Sequence, residues 1–147
     1  MYNYILLAHL LSATIWTGGH LILSFTILPR VLKEKNIAEI KRFESGFEKI
    51  GIPALLIQVS SGLWLAHNLL PDFGLWLQFD NPVSRLIMFK LSLLFATALL
   101  AIDARLRIIP KLTEDNLISL AYHIIPVTII SVLFVVVGFS FKTGLLY

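Results

Sequence analysis

The four histidines of the chain are the residues best suited to chemistry: His9, His20, His67 and His123. Each lies in or beside an apolar stretch, where an ionisable side chain is costly and usually serves a function. Neutral imidazole is a common ligand of iron, copper and zinc. The set therefore indicates a bound cofactor or metal. The alternative is that the four side chains only form hydrogen bonds between helices.

The spacing of the first two histidines places them on one face of a helix. Residues 8–23 read AHLLSATIWTGGHLIL, and the interval from His9 to His20 makes about three helical turns. The two imidazoles then lie one above the other, about 16 Å apart along the helix axis. Trp16 belongs to the same stripe, and the small Gly19 beside it lets a bulky group approach the backbone.

The composition indicates that the elements carrying these histidines are membrane helices. The 147 residues are 57% hydrophobic and 14% charged, whereas about a quarter of an ordinary soluble domain is charged. The length fits one domain. The absence of cysteine excludes disulfides, thiolate zinc sites and cysteine-ligated iron–sulfur clusters. The chain is therefore predicted to be an integral membrane protein, and its net charge of +3 needs no nucleic-acid partner.

Four apolar segments are long enough to cross a bilayer, which takes about 20 residues of helix. They cover about residues 3–28, 51–70, 83–108 and 117–141. Another stretch, at about 36–49, has apolar residues at helical spacing and charges on the other side, which predicts a short amphipathic helix on the cytoplasmic membrane surface. The predicted fold is all-α: a single antiparallel four-helix transmembrane bundle plus this interfacial helix.

The distribution of basic residues predicts the orientation of the bundle. Lysine and arginine accumulate in cytoplasmic connections, and the first and third connections share one side of a four-span protein. Those connections hold nine basic residues, against three on the other side. Both termini are accordingly expected on the periplasmic or extracellular side of a bacterial-type inner membrane. The nine are Arg30, Lys33, Lys35, Lys41, Arg42, Lys49, Arg105, Arg107 and Lys111, and the three are Arg85, Lys90 and Lys142.

With this topology the histidines fall into two layers. His9 and His67 lie near the outer membrane face, and His20 and His123 lie in the cytoplasmic half. A cytochrome with two b-type haems needs two axial imidazoles for each iron, supplied by facing helices. We therefore expect two haem b groups, one bound by the outer pair and one by the inner pair, with Trp16 packed in the bundle or against a cofactor edge.

Further residues of the outer layer suit a cofactor or a metal. Lys90 lies about 10 Å inside the third span, where its ammonium can neutralise a haem propionate or can snorkel to the interface. Arg85, nearer the surface, is a candidate for the same contact or an interfacial anchor. Met88 together with His9 and His67 offers a thioether and two imidazoles, a set that suits copper.

The cytoplasmic end of the third span carries Asp103 and Arg107, which are four residues apart and are predicted to pair. The sequence contains no nucleotide-binding loop, no nucleophile–base–acid set and no zincin motif. A hydrolase of the soluble type is therefore not supported, and we assign no catalytic residue.

Three stretches of the chain resemble the CopD family of membrane proteins, named for copper resistance. They are AHLLSATIWTGGHLIL followed by LPR, SSGLWLA on the second span, and SRLIMFKLSLLFATALLAIDARLRIIPKL across the third. The likeness covers most of the chain. It implies a four-helix core and a link to copper uptake or tolerance, with His9, His67 and Met88 as the ligands that this chain offers.

The chain is also similar to HemJ-type protoporphyrinogen oxidases, which are haem-binding membrane proteins of similar length. Those proteins carry a first-helix histidine followed seven residues later by tryptophan, as His9 and Trp16 do here, and a third-helix lysine that Lys90 matches. The chain departs from them at Pro29 and Arg30, which lie about a turn later, and in its C-terminal pattern. The histidine layout also resembles di-haem b cytochromes, by arrangement rather than by motif.

Three cofactor-dependent functions follow from these patterns. The first is a membrane b-type cytochrome that transfers electrons within or across the membrane, with a quinone or a redox partner protein as electron donor or acceptor. The second is a copper-binding or copper-tolerance protein, and the third is a HemJ-like oxidase. The lipid bilayer is the expected environment, and a homodimer stays open. We favour the cytochrome because paired histidine depths are hard to obtain by chance.

Overall fold

The computed structural model describes all 147 residues, and the chain is helical with no β-strand. Four helices are each long and apolar enough to cross a membrane. The prediction of an all-α chain with four such helices is therefore confirmed. The four long helices are Tyr2–Glu34, Ile37–Leu69, Pro82–Lys111 and Glu114–Thr143.

The first long helix has three parts: α1 (Tyr2–Ile22), a π-helical turn (Leu23–Ile27) and α2 (Leu28–Glu34). Pro29 cannot donate a backbone hydrogen bond, and its ring conflicts with the carbonyl of the preceding turn. The wider π turn before Pro29 accommodates the proline without ending the helix. The helix therefore continues past its predicted end near residue 28 and stops at Lys35, whose φ is 55°.

The second long helix, α3 (Ile37–Leu69), is continuous through Pro53. The interfacial helix predicted at 36–49 and the span predicted at 51–70 are thus a single helix. Protein side chains cover the apolar face of the first stretch. Ile40 on that face is only 3% exposed and belongs to the protein core. Amphipathic spacing shows that one face is apolar, but it does not show whether lipid or protein covers that face.

The third long helix follows a short 3-10 turn (Phe73–Leu77) and begins at Pro82. Asn81 caps it, because its side chain accepts a hydrogen bond from the Val83 backbone N–H at 2.8 Å. It consists of α4 (Pro82–Asp103), a π-helical turn (Ala104–Ile108) and a 3-10 turn. The second π turn again comes just before a proline, which indicates the same accommodation as in the first long helix.

The fourth long helix consists of a 3-10 turn and α5 (Leu117–Thr143). Pro126 lies inside α5, and the helix continues on both sides of it. The helix ends at Gly144, whose φ of 71° suits a residue without a Cβ.

The order of the long helices in space differs from their order in the chain. α1 packs against α3 and α5, and α5 packs against α4, whereas α3 and α4 do not pack against each other along their length. The bundle is therefore open between α3 and α4. The gap matters for ligand binding, since packed neighbouring helices are only about 8–10 Å apart and leave no room for a large molecule.

The main buried cluster lies at the end of the molecule where α2 turns into α3 and α4 connects to α5. We call this the core end. Its side chains come from the adjoining helix ends and from the connection between the third and fourth long helices, and they hold the first, second and fourth long helices together there. The cluster consists of Ile27, Leu28, Val31, Ile40, Leu112, Leu117, Leu120, Ala121 and Ile124.

Candidate cofactor site

A cavity of about 530 Å³ lies beside the core end, in the gap between α3 and α4. All four long helices contribute to its walls, and most of the lining side chains are apolar. Ligand sites are typically about 300–1,000 Å³ and mostly apolar, so the cavity has the size and character of a binding site. Two of the four histidines, His20 and His123, line it.

Both π-helical turns border this cavity. Leu23 from the first turn lines it, as do Ala104, Arg105 and Leu106 from the second. Single π turns inside helices are often found at functional sites.

His20 lines the cavity and has one ring nitrogen without a hydrogen-bond partner. Its Nδ1 lies 2.9 Å from the carbonyl oxygen of Trp16, one turn earlier, so Nδ1 carries a proton and donates it. Nε2 then has a lone pair and no hydrogen-bond partner in the protein. His20 is 9% exposed, and its ring lies 4.5 Å from the Trp16 ring, centroid to centroid. An imidazole with a fixed tautomer and a bare Nε2 is a form that binds metals.

Phe47 of α3 forms the cavity wall beside His20. The two rings meet edge to face, with centroids 5.6 Å apart. The Phe47 ring lies on the backbone of two glycines, since a Cβ built on Gly19 would stand 2.1 Å from it and one on Gly51 would stand 2.8 Å from it. The bulky group that approaches Gly19 is therefore a protein side chain, which the sequence analysis did not identify.

His123 has no free ring nitrogen. Its Nδ1 donates to the carbonyl oxygen of Ser119 at 2.8 Å, and its Nε2 lies 2.7 Å from Oδ2 of Asp103. Arg107 donates to the other carboxylate oxygen of Asp103 at 2.8 Å, which confirms the predicted pairing of those two residues. The contact of Asp103 with His123 was missed, because spacing within one helix does not report on a neighbouring helix.

An ion cluster lies at the edge of the cavity. Arg105 pairs with Glu48 and, at 3.5 Å, with Glu44, and all three residues line the cavity. The pairs bridge the gap between α3 and the π turn after α4. The Arg105 side chain is 57% exposed, and a guanidinium is a group that binds carboxylates of ligands as well as those of the protein.

His9 of α1 forms side-chain hydrogen bonds to α3. Its Nδ1 lies 2.9 Å from Ser61 Oγ, and its Nε2 lies 3.4 Å from Gln58 Nε2. Ser61 donates its own hydroxyl proton to the Ile57 carbonyl, so it accepts from His9. A Cβ on Gly62 would stand 3.0 Å from the His9 ring, which shows how closely the two helices meet. His9 thus forms the interhelical hydrogen bonding that is the alternative to a cofactor role.

His67 is not close to His9. It is exposed, and its ring stacks on Phe73 with centroids 5.0 Å apart. His9 meets α3 at Ser61, and the six residues from there to His67 correspond to about 9 Å along the axis and about 120° around it. The structure therefore does not bring the expected outer pair together, because equal depth does not imply the same face of α3.

Lys90 faces protein groups from its position on α4. Its Nζ lies 5.9 Å from the centroid of the Phe141 ring, and a Cβ on Gly138 would stand 3.2 Å from it. No carboxylate lies within ion-pair distance of Lys90.

The expected copper ligands are not assembled into one site. No group of three or more His, Asp or Glu side chains is arranged to hold a metal ion. Met88 is partly buried on α4, but His9 and His67, its two expected companions, lie apart. Arg85 is also partly buried, and its Nε has no hydrogen-bond partner.

Comparison with other proteins adds no information about this cavity. No protein-family model, no curated protein and no solved structure matches the chain. The geometry of the cavity therefore carries the functional argument.

Proposed function

We propose that the chain is an integral protein of a bacterial-type inner membrane that binds one haem b in the cavity between α3 and α4, where His20 would hold the iron. Its activity is electron transfer, with a quinone or a redox partner protein as donor or acceptor. A single observation carries the proposal: a buried imidazole with one ring nitrogen free of hydrogen bonds lines a mostly apolar cavity between helices.

The length and surface of the helices support membrane insertion. Each of the four has 30 or 33 residues, and about 20 apolar residues are enough to span a bilayer. Large apolar side chains such as Phe25 and Phe95 are exposed around the bundle, at 77% and 67%. Apolar surface on this scale is unusual for a protein in water. In the proposed arrangement the four helices run antiparallel and lipid tails cover these side chains.

Ion pairs between helices support the proposed topology. Arg105 follows α4, and its partners Glu44 and Glu48 lie in the first half of α3. These contacts are expected if the two basic connections lie at the same end of the bundle. Lysine and arginine accumulate on the cytoplasmic side, so the core end faces the cytoplasm and both termini face the opposite side.

The residues around the cavity fit the chemistry of haem b, which is flat and mostly apolar with carboxylates at one edge. His20 would hold the iron through Nε2, and the hydrogen bond from Nδ1 to Trp16 would orient the ring and increase its basicity. Arg105 would pair with a propionate in place of Glu48. Haem bound in this way supplies one-electron chemistry.

The proposal is limited to one haem. The second haem expected at His9 and His67 stays a prediction without similar support, because His9 is bonded to Ser61 and His67 stacks on Phe73. The same separation leaves the copper alternative without a supporting observation.

The experiment is to measure haem content in wild-type protein, His20→Ala and His67→Ala, each purified in detergent from cells with ample haem. We expect haem in the wild type and in His67→Ala, and its loss from His20→Ala. His67→Ala is the matched control because it removes an exposed imidazole that does not line the cavity. Equal haem in all three proteins would refute the role of His20, and a wild type without haem would refute the function.

A HemJ-like oxidase is a second candidate, and the lack of an ion-pair partner for Lys90 favours it. An ammonium without an acidic partner can receive a carboxylate of a tetrapyrrole. The assay is oxidation of protoporphyrinogen to protoporphyrin by the purified protein, with a quinone accepting the electrons. Activity that Lys90→Leu abolishes would support this candidate, and a haem-loaded wild type without activity would exclude it.

A further inference from the structure

The two histidines that line the cavity are not equivalent in their hydrogen bonding. His20 uses one ring nitrogen, whereas His123 uses both, with acceptors 2.8 Å and 2.7 Å away. A carbonyl oxygen carries no proton, so Nδ1 of His123 donates to Ser119. Nε2 is engaged by the Asp103 carboxyl group whichever of the two carries the shared proton. Because a metal binds imidazole through a free lone pair, His123 has no nitrogen available for iron in this arrangement.

Asp103 is itself held in place. Its Oδ1 accepts from Arg107, one turn later on the same helix, while its Oδ2 faces His123 on α5. The two contacts use different oxygens, so neither competes with the other. The side chains of His123 and Asp103 are 16% and 33% exposed, and a charge-assisted hydrogen bond of this length is stronger than one between neutral groups. The hydrogen bonds from Arg107 to Asp103 and between Asp103 and His123 therefore hold His123 against α4.

We infer that His123 would not be a second ligand of the iron but is a hydrogen-bonding residue whose two ring nitrogens Ser119 and Asp103 engage, so that a haem held by His20 would leave its iron open to a small ligand. This inference rests on the proposed haem site and departs from the bis-histidine site that the depth pairing predicts. Haem proteins with one axial histidine and a polar group in the pocket bind small ligands, and the pocket polarity tunes that binding.

The test uses purified haem-loaded protein, with carbon monoxide as the small-ligand probe. We expect a high-spin spectrum for the oxidised wild type and a carbon monoxide shift of the Soret band after reduction. His123→Ala should keep its haem and remain high-spin. A low-spin wild type that does not bind carbon monoxide, and that His123→Ala converts to high-spin, would overturn the inference.

A second variant tests the role of Asp103 directly. Asp103→Ala releases Nε2 of His123, and we expect a low-spin fraction to appear together with a loss of carbon monoxide binding. The double variant Asp103→Ala/His123→Ala is the control, and it should be high-spin again. A purely structural role of Asp103 would lower stability in both variants and leave the spin state unchanged, which would overturn its assignment.

The outcomes separate this inference from the proposed function. If no variant and no wild-type preparation contains haem, both fail together. If haem is present and requires both His20 and His123, the proposed function stands and the inference alone is overturned.

Discussion

Replacing Gly19 by alanine tests the packing that forms the wall of the cavity. The new Cβ would stand 2.1, 2.4 and 2.9 Å from three carbon atoms of the Phe47 ring, whereas carbon atoms in contact are about 3.5–4.0 Å apart. The ring must therefore move by more than about 1 Å. Its other side lies on Gly51, so the movement is obstructed and the variant is overpacked.

The expected change in the free energy of unfolding of Gly19→Ala follows from two opposing contributions. Alanine favours a helix over glycine by about 1 kcal/mol, and overpacking a well-packed site costs about 1–3 kcal/mol. Gly18→Ala is the matched control, because nothing lies within 4 Å of its new Cβ. It receives the helix-forming benefit alone. Gly19→Ala should therefore have a free energy of unfolding lower than that of Gly18→Ala by about 1–3 kcal/mol.

The assay is denaturant unfolding in detergent, followed by circular dichroism, together with a haem titration. Because Phe47 contacts His20, Gly19→Ala should also weaken haem binding, whereas Gly18→Ala should leave it unchanged. In a Phe47→Ala background the two glycine substitutions should have the same effect on stability, since the clash is gone. Equal stabilities of Gly18→Ala and Gly19→Ala in the presence of Phe47 would refute the packing argument.

Three further changes have expected outcomes. Arg105→Gln should weaken binding of haem b by less than about tenfold, because exposed ion pairs contribute about 0–1 kcal/mol, and should leave binding of haem dimethyl ester unchanged in parallel titrations. Equal wild-type affinities for the two compounds would exclude a propionate contact. Ser61→Ala removes the acceptor of His9 and should lower the free energy of unfolding by about 0.5–2 kcal/mol, whereas an unchanged value would show that the hydrogen bond adds no stability. Asn81→Ala removes the cap of α4 and should cost about 1 kcal/mol in the same assay, and an unaltered midpoint would contradict that role.

The four long helices are predictable from the sequence because helix length and apolarity are local properties. Twenty or more apolar residues between charged connections indicate a span wherever the segment packs. The prediction of a separate helix at 36–49 was wrong because the partner that covers a helix face is not a local property. Its apolar face was read correctly, but Ile40 on that face is covered by α2 and α5 rather than by lipid, and only the tertiary structure shows which partner covers a face.

The depth of each histidine along its helix was predictable from the sequence, but the direction of its side chain was not. His20 and His123 were placed in one layer, and they do line one cavity. His9 and His67 were predicted to share another layer. In the structure, His9 packs against the side of α3 that carries Ser61, whereas His67 projects from a different side of α3. Depth along a span follows from residue counting, whereas the direction of a side chain depends on how the helix is rotated against its neighbour. The gap between α3 and α4 was also not predictable, since it results from the order in which the four helices pack.

The number of haem groups bound per chain is the measurement that tests the central claim most directly. Haem would be quantified by its reduced absorbance spectrum, and protein by amino-acid analysis, on one sample purified from cells with ample haem. We predict one haem b per chain, held through His20. A colourless protein would contradict the haem site, and two haems per chain would contradict the proposal of a single haem.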